Sequence, residues 1–130
     1  MYRWIEHTGE LELLVEGRSA EEALGEALVA FGELVGEGRE GERVTHELRL
    51  EAPDRPALLA EWLNELVYLA ETDGFVPERV EELQLGESGL RARVSGVRSW
   101  PRNLVKAVTY HRLEFRDAGD IWLGRVTLDV

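Results

Sequence analysis

The feature that most constrains the fold is a long amphipathic segment covering residues 54–71. Its apolar side chains recur every three or four residues, the spacing that places them along one side of an α-helix. Asp54 and Pro56 are residue types that favour the first turn of a helix. The apolar stripe consists of Leu59, Trp62, Leu63, Leu66, Val67 and Ala70. Because such a stripe must be buried, the chain needs other elements packed around this helix.

A second helix is predicted earlier in the chain. Ser19 and Glu22 have the spacing of a capping box, in which the two side chains bind backbone N–H groups at the helix start. The stripe that follows consists of Leu24, Ala27, Leu28, Phe31, Leu34 and Val35. Gly36 is expected to end this helix, and the Gly-rich polar stretch 36–43 predicts a surface loop.

Six further segments are typical of β-strands, since apolar and polar side chains alternate in them or form short apolar runs. The predicted strands cover residues 10–16, 44–50, 80–85, 90–97, 104–113 and 121–130. Two short turns, Gly86–Gly89 and Asp117–Asp120, predict hairpin connections. The order strand, helix, strand, helix and then consecutive strands predicts a single α+β domain over residues 1–130. We expect a sandwich with two helices on one face of a mixed or mostly antiparallel sheet.

Composition narrows the classes of function. The 130 residues include 15 basic and 26 acidic side chains, and the resulting charge of −11 repels nucleic-acid phosphates and anionic lipids. We therefore expect no membrane partner and no strong direct binding of nucleic acid. The chain has no cysteine, so disulfides and thiolate chemistry are excluded. Without an export signal at Met1–Trp4 or a bilayer-spanning apolar run, the sequence predicts a soluble cytoplasmic protein.

Common catalytic motifs are absent from the sequence. No serine lies in a nucleophile elbow, and neither a P-loop nor a dinucleotide-binding fingerprint precedes a helix. The three histidines lack the spacing of a zinc site. His46 falls at an inward strand position and is expected in the core or at its rim. His7 and His111 have polar neighbours, so they are candidates for a functional surface.

The four tryptophans suit either packing or ligand stacking. Trp62 belongs to the helical stripe and is predicted to lie in the core. Trp4, Trp100 and Trp122 are able to stack a base or line a cleft, but packing in the core or at its rim is the favoured interpretation.

Carboxylates lie at both ends of the chain. Glu10 is on the polar face of its strand, and Asp129 is followed by Val130 with its free α-carboxylate. Two adjacent anionic groups form a hard oxygen ligand set, which suits calcium, magnesium or manganese. If the first predicted strand lies beside the last, Glu10 adds a third carboxylate. The alternative is that these are solvated strand residues and a loose terminus.

Four segments form a recognisable set, in an order that spans nearly the whole chain. They are Glu6–Glu10, Ala57–Tyr68, Lys106–His111 and Val126–Val130. Together they resemble the archease family, the small accessory proteins of RtcB-type RNA ligases in tRNA splicing and RNA repair. The Lys-Ala-Val-Thr-Tyr-His run and the final Asp-Val are the most specific parts of this resemblance.

The resemblance implies a divalent metal site formed by Glu10, Asp129 and Val130, with calcium as the first choice of ion. The family usually has His-Thr-Ala-Asp where this chain has His-Thr-Gly-Glu, so Glu10 offers its carboxylate on a side chain one methylene longer. The implied function is to promote guanylylation of the ligase by GTP and to sustain multiple turnover, without being an enzyme itself. GTP and RNA are then contacted only through the ligase.

Further residues are candidates for the partner or site surface. They are His7, Thr8, Lys106, Thr109, Tyr110 and His111. The last four alternate in strand parity, so they cannot all project the same way unless the strand contains a bulge.

Two rival functions stay open from the residues alone. One is a small metal-dependent hydrolase or phosphotransferase that uses Glu10 and Asp129, with His7 or His111 as general base. The other is a chaperone-like interaction module without an obligatory metal.

Overall fold

The computed structural model describes residues 1–36, 40–101 and 105–130. Within these ranges the elements are β1 (Tyr2–His7), β2 (Glu10–Gly17), α1 (Ala20–Gly36), β3 (Glu42–Glu51), α2 (Arg55–Asp73), β4 (Phe75–Leu85), β5 (Gly89–Arg98), β6 (Ala107–Asp117) and β7 (Trp122–Asp129). The predicted α+β class with two helices is confirmed. In the part of the chain described, neither helix has the length and apolar character needed to cross a bilayer.

The strands form two antiparallel sheets, whereas the sequence predicts one sheet. Sheet A has the order β1-β2-β7-β6, and sheet B has the order β3-β5-β4. Each helix contacts strands of both sheets, and the buried side chains of all these layers form one hydrophobic core. Alternation along a strand predicts which face is buried, but the neighbours of a strand depend on long-range pairing.

Both helix starts have the predicted caps. The Ser19 hydroxyl accepts a hydrogen bond from the Glu22 N–H at 3.1 Å, and the Glu22 carboxylate accepts one from the Arg18 N–H at 3.3 Å. Asp54 caps α2 by accepting the Ala57 N–H at 2.8 Å. These bonds satisfy backbone donors that have no partner inside the helix.

The observed strands extend the predicted ones. β1 has no counterpart among the predicted strands, and β4 begins at Phe75, ahead of the predicted residue 80. The two predicted hairpin turns connect β4 to β5 and β6 to β7. Part of the predicted loop 36–43 and the start of the predicted strand 104–113 lie outside the described residues, which leave out 37–39 and 102–104.

Trp62 lies at the centre of the core, as predicted. Its side chain is fully buried, and its indole N–H donates a hydrogen bond to the Leu24 carbonyl oxygen at 2.9 Å, which links α2 to α1. Trp4 and Trp122 are partly buried and pack against the same core. Trp100 is more than half exposed and lies outside the core, with its ring against Gly74.

His46 lies at the rim of the core, as predicted. Its Nε2 atom lies 2.9 Å from Asp73 Oδ2, and its ring meets Phe75 edge-on with 4.7 Å between centroids. Arg98 donates to the same carboxylate from Nε at 3.1 Å and from Nη2 at 3.2 Å. Desolvation raises the pKa of Asp73, but the hydrogen bonds from His46 and Arg98 outweigh it, so the net pKa is lowered from its ordinary value of 3.8.

Asp73→Asn is expected to reduce the acid sensitivity of folding. A carboxyl group with a depressed folded-state pKa contributes stability that is present above its unfolded pKa and is lost as the pH falls through the folded value. The variant should therefore be less stable than the wild type at about neutral pH, and this gap should close below about pH 4. Urea denaturation at a series of pH values measures the gap. A gap that persists unchanged in strong acid would contradict the assignment, and the exposed Asp120→Asn should keep the wild-type profile.

Candidate metal centre and partner surface

Two carboxylates meet at one end of sheet A, where β2 begins and β7 ends. Glu10 and Asp129 are register partners on these adjacent antiparallel strands. Such partners project to the same face of a sheet, with Cβ atoms about 5 Å apart. His7 on β1 pairs with Glu10 and continues the same row. We call Glu10, Asp129 and Val130 the carboxylate tip.

Backbone hydrogen bonds hold the carboxylate tip in place. The Val130 N–H donates to the Gly9 carbonyl oxygen at 3.2 Å, and the Lys106 N–H donates to the Asp129 carbonyl oxygen at 2.8 Å. Gly9 has φ 75°, a left-handed conformation that glycine adopts without strain, and it completes the turn between β1 and β2. The last residue of the chain therefore lies beside this turn, next to the two side-chain carboxylates.

The chemistry of the carboxylate tip fits a hard divalent cation. Two carboxylates directly opposite one another repel, and a bound cation relieves that repulsion. Across the described ranges, no group of three or more His, Cys, Asp or Glu side chains is arranged to hold a metal ion. A cation at the carboxylate tip would therefore need the α-carboxylate of Val130 and water to complete its oxygen ligands.

β6 contains a large bulge beside β7. The surface candidates in this strand alternate in parity, so they can share a face only if the strand contains a bulge. After the pair Thr109–Thr127, the ladder resumes only at Glu114–Arg125, so four residues of β6 lie opposite one residue of β7. Arg112 in this bulge has φ 55°, a left-handed conformation that is uncommon for a residue with a side chain. We call residues 110–113 the β6 bulge.

Glu12 is a buried carboxylate that sequence reasoning missed. It shares the outer face of β2 with Glu10, yet its side chain is only 6% exposed. Its Oε1 lies 3.0 Å from Arg125 Nε, while its Oε2 lies 3.8 Å from Arg112 Nη1 and 3.4 Å from His7 Nε2. These contacts tie the β6 bulge to the strands that carry the carboxylate tip. Alternation places Glu12 on the outer face, but no local signal predicts the bulge that covers it.

The histidines proposed as general bases have different surroundings. His7 lies close to the tip, with its ring nitrogen directed to Glu12. His111 is exposed in the β6 bulge, where its N–H donates to Thr109 Oγ1 and its carbonyl oxygen accepts from Thr127 Oγ1, both at 3.4 Å. The backbone of His111 thus fixes the bulge over β7.

The remaining surface candidates divide between two places. Thr8 lies in the turn beside the tip, and Lys106 is exposed immediately before β6. Tyr110 instead reaches α2, where its hydroxyl donates to Glu61 Oε1 at 3.3 Å. Partial burial raises the pKa of Tyr110, and the charges of Glu61 and Asp54 add to this increase. The structure therefore brings Thr8 and Lys106 to the tip and turns Tyr110 towards the helix.

Comparisons with known proteins identify one family. The model of the Archease protein family matches residues 2–130. Protein archease from Methanosarcina acetivorans is 34% identical over 139 residues, covering 99% of this chain and 95% of that protein. Protein archease from Pyrobaculum neutrophilum is 31% identical with the same coverage of both chains.

Solved structures share the fold. The solution structure of Methanobacterium thermoautotrophicum protein 1598 matches with a TM-score of 0.73 and 25% identity, covering 99% of this chain and 98% of that chain. A crystal structure from Thermotoga maritima, described as an archease and possible chaperone, matches with a TM-score of 0.67 and 23% identity, covering 97% of this chain and 94% of that chain.

Proposed function

Because the chain belongs to the archease family, we propose that it is a metal-binding activator of an RtcB-type RNA ligase. The observation that carries the proposal is the register pairing of Glu10 with Asp129. This pairing places on one face of sheet A the two side chains that the family resemblance assigns to a metal. In this proposal the protein promotes guanylylation of the ligase by GTP, in tRNA splicing or RNA repair.

The proposed metal ligands are the carboxylates of Glu10 and Asp129 and the α-carboxylate of Val130. Oxygen ligands of this kind suit calcium, magnesium or manganese, and calcium is the first choice because the family resemblance implies it. A cation held there supplies positive charge that offsets repulsion among phosphate oxygens during phosphoryl transfer in the ligase. The chain itself positions the ligands, because backbone hydrogen bonds donated by Val130 and Lys106 hold the carboxylate tip at the end of sheet A.

The net charge supports a protein partner over direct RNA binding. A charge of −11 repels a phosphate backbone, whereas it attracts the basic surface that an RNA-binding enzyme needs. Opposite potentials accelerate the encounter of two proteins, and added salt weakens this effect.

Multiple-turnover ligation tests the proposed function. An RtcB-type ligase from the same organism is incubated with GTP and an excess of RNA, with and without this protein. We expect product formation to stop early without the protein and to continue when it is present. Failure to sustain turnover would contradict the proposal. Hydrolysis of GTP or a phosphoester by the isolated protein would instead favour the enzymatic alternative.

A second candidate function is that of a chaperone-like interaction module. It is supported by the description of the Thermotoga maritima relative as a possible chaperone and by the exposed aromatic side chains Tyr68, Trp100 and Tyr110. Suppression of the aggregation of unrelated proteins, together with no effect on ligation and no binding of divalent cations, would favour this function.

A further inference from the structure

Exposed aromatic side chains lie along one helix of the protein. Among the described residues, the aromatic side chains that are more than half exposed are Tyr68 at 57%, Trp100 at 58% and Tyr110 at 56%. Tyr68 is on the solvent side of α2. Tyr110 contacts Glu61 earlier on that helix, and the Trp100 N–H donates to the Gly74 carbonyl oxygen at its C-terminal end, at 3.1 Å. The three residues therefore lie beside the part of the helix from Glu61 to Gly74.

Carboxylates accompany Tyr68 and Tyr110 on one side of α2. Glu61, Glu65 and Tyr68 recur at intervals of four and three residues, so they share one helix face. Arg55 is the only basic residue in the helix, and its guanidinium donates to the Gly86 carbonyl oxygen at the first turn. We call Glu61, Glu65, Tyr68 and Tyr110 the α2 face, which is both aromatic and anionic.

Charge decides between two classes of partner for the α2 face. Exposed rings stack on bases in proteins that bind single-stranded nucleic acid, but those proteins combine the rings with a positive groove. Here the rings alternate with carboxylates on a molecule of charge −11, so a phosphate backbone is repelled. An arginine or lysine side chain gains a cation–π contact with a ring and an ion pair with a neighbouring carboxylate. The chemistry therefore favours a basic protein surface.

β6 connects the α2 face to the carboxylate tip. Tyr110 lies three residues after Ala107, which pairs with Asp129, but its side chain reaches α2, whereas Glu10 and Asp129 project from the outer face of sheet A. The segment of α2 from Glu61 to Gly74 is about 20 Å long. A typical protein interface covers about 800 Å² on each partner, a patch roughly 30 Å across. A partner surface of that size is large enough to cover the whole α2 face.

We infer that the α2 face is the docking surface for a basic protein surface, with partner arginine or lysine side chains placed against Tyr68 and beside Glu61 and Glu65. This inference rests on the proposed function, since it takes the RtcB-type ligase as the partner. Docking along α2 would fix the position of the carboxylate tip relative to the ligase.

A pair of charge reversals tests the inference in the full-length protein. Glu65→Arg changes the α2 face, whereas Glu47→Arg makes the same change on an exposed position of β3 in sheet B. Both variants alter the net charge equally, so a difference between them reports the site of contact. Binding to the purified ligase is measured by calorimetry. We expect Glu65→Arg to raise the Kd at least about tenfold and Glu47→Arg to change it by less than about threefold.

Tyr68→Ser provides a second variant at an exposed position, where loss of the ring should not affect folding. We expect it also to raise the Kd at least about tenfold, with an unchanged thermal midpoint. Equal weakening by the two charge reversals would overturn the inference, because net charge alone would then explain it. Wild-type affinity of both α2 variants, with ligase stimulation intact, would overturn the inference and leave the proposed function standing. No binding and no stimulation by the wild-type protein would overturn both.

Labelled single-stranded RNA tests the alternative that the α2 face binds nucleic acid. We expect no saturable binding of the RNA to the isolated protein at physiological salt. Binding that Tyr68→Ser abolishes would overturn the inference, because the α2 face would then be a nucleic-acid surface.

Discussion

Asp129→Asn is expected to lower the affinity for calcium at least about a hundredfold. Loss of a residue that only supports a metal ligand lowers metal affinity about 10- to 100-fold, so loss of a direct ligand should have a larger effect. Asparagine keeps the size of the side chain but removes its negative charge. The hydrogen bond from Lys106 should persist, since the Asp129 backbone oxygen accepts it. Calorimetric titration with calcium, magnesium and manganese measures the effect. Stimulation of ligation should fall to the level seen without the protein.

The matched control for this prediction is Asp120→Asn. Asp120 is exposed in the turn between β6 and β7, at the end of β7 opposite to the carboxylate tip. The chemical change is the same, so any general effect of removing one negative charge appears in both variants. We expect cation affinity and ligase stimulation to stay at wild-type levels in the control. Wild-type calcium affinity in Asp129→Asn would exclude the tip as the metal site.

Trp62→Ala is expected to reduce the free energy of unfolding by about 3–5 kcal/mol. The side chain is fully buried between helices and sheets, so its removal leaves a cavity that rigid neighbours fill only in part. The hydrogen bond from its indole N–H to the Leu24 carbonyl oxygen is lost as well. Urea denaturation followed by circular dichroism measures the change.

Two variants separate the contributions at this position. Trp62→Phe retains most of the apolar packing, so it should cost less than the alanine variant, although it still removes the indole donor. Trp100→Ala makes the alanine change at an exposed tryptophan and is expected to cost less than about 1 kcal/mol. A cost for Trp62→Ala as small as that for Trp100→Ala would contradict the central position assigned to this side chain.

Local patterns are sufficient to predict the helices but not the arrangement of the sheets. A helix start depends on residues within one turn, which is why the caps at Ser19 and Asp54 are confirmed. The apolar stripe around Trp62 likewise depends on spacing within a single element. The separation of strands into two sheets depends on contacts between distant segments. β1 is missed because its short mixture of aromatic and charged residues shows no clear alternation of period two.

The candidate site shows the same division between local and long-range information. The outward parity of Glu10 and Asp129 is local, and the structure pairs these residues across β2 and β7. The burial of Glu12 requires the β6 bulge to fold over the outer face, and the conformation of Arg112 there has no sequence signal of its own. The direction of Tyr110 likewise depends on the position of α2 beside β6.

The order of strands in sheet A has a consequence for biosynthesis. β7 lies between β2 and β6, so the hairpin formed by β1 and β2 cannot gain its inner neighbour until residues 122–129 have left the ribosome. The strands of sheet B all come from residues 42–98, and they can pair earlier. A nascent chain therefore carries an open strand edge that invites mispairing until β7 has emerged. The carboxylate tip is among the last parts of the fold to assemble, because β7 supplies Asp129.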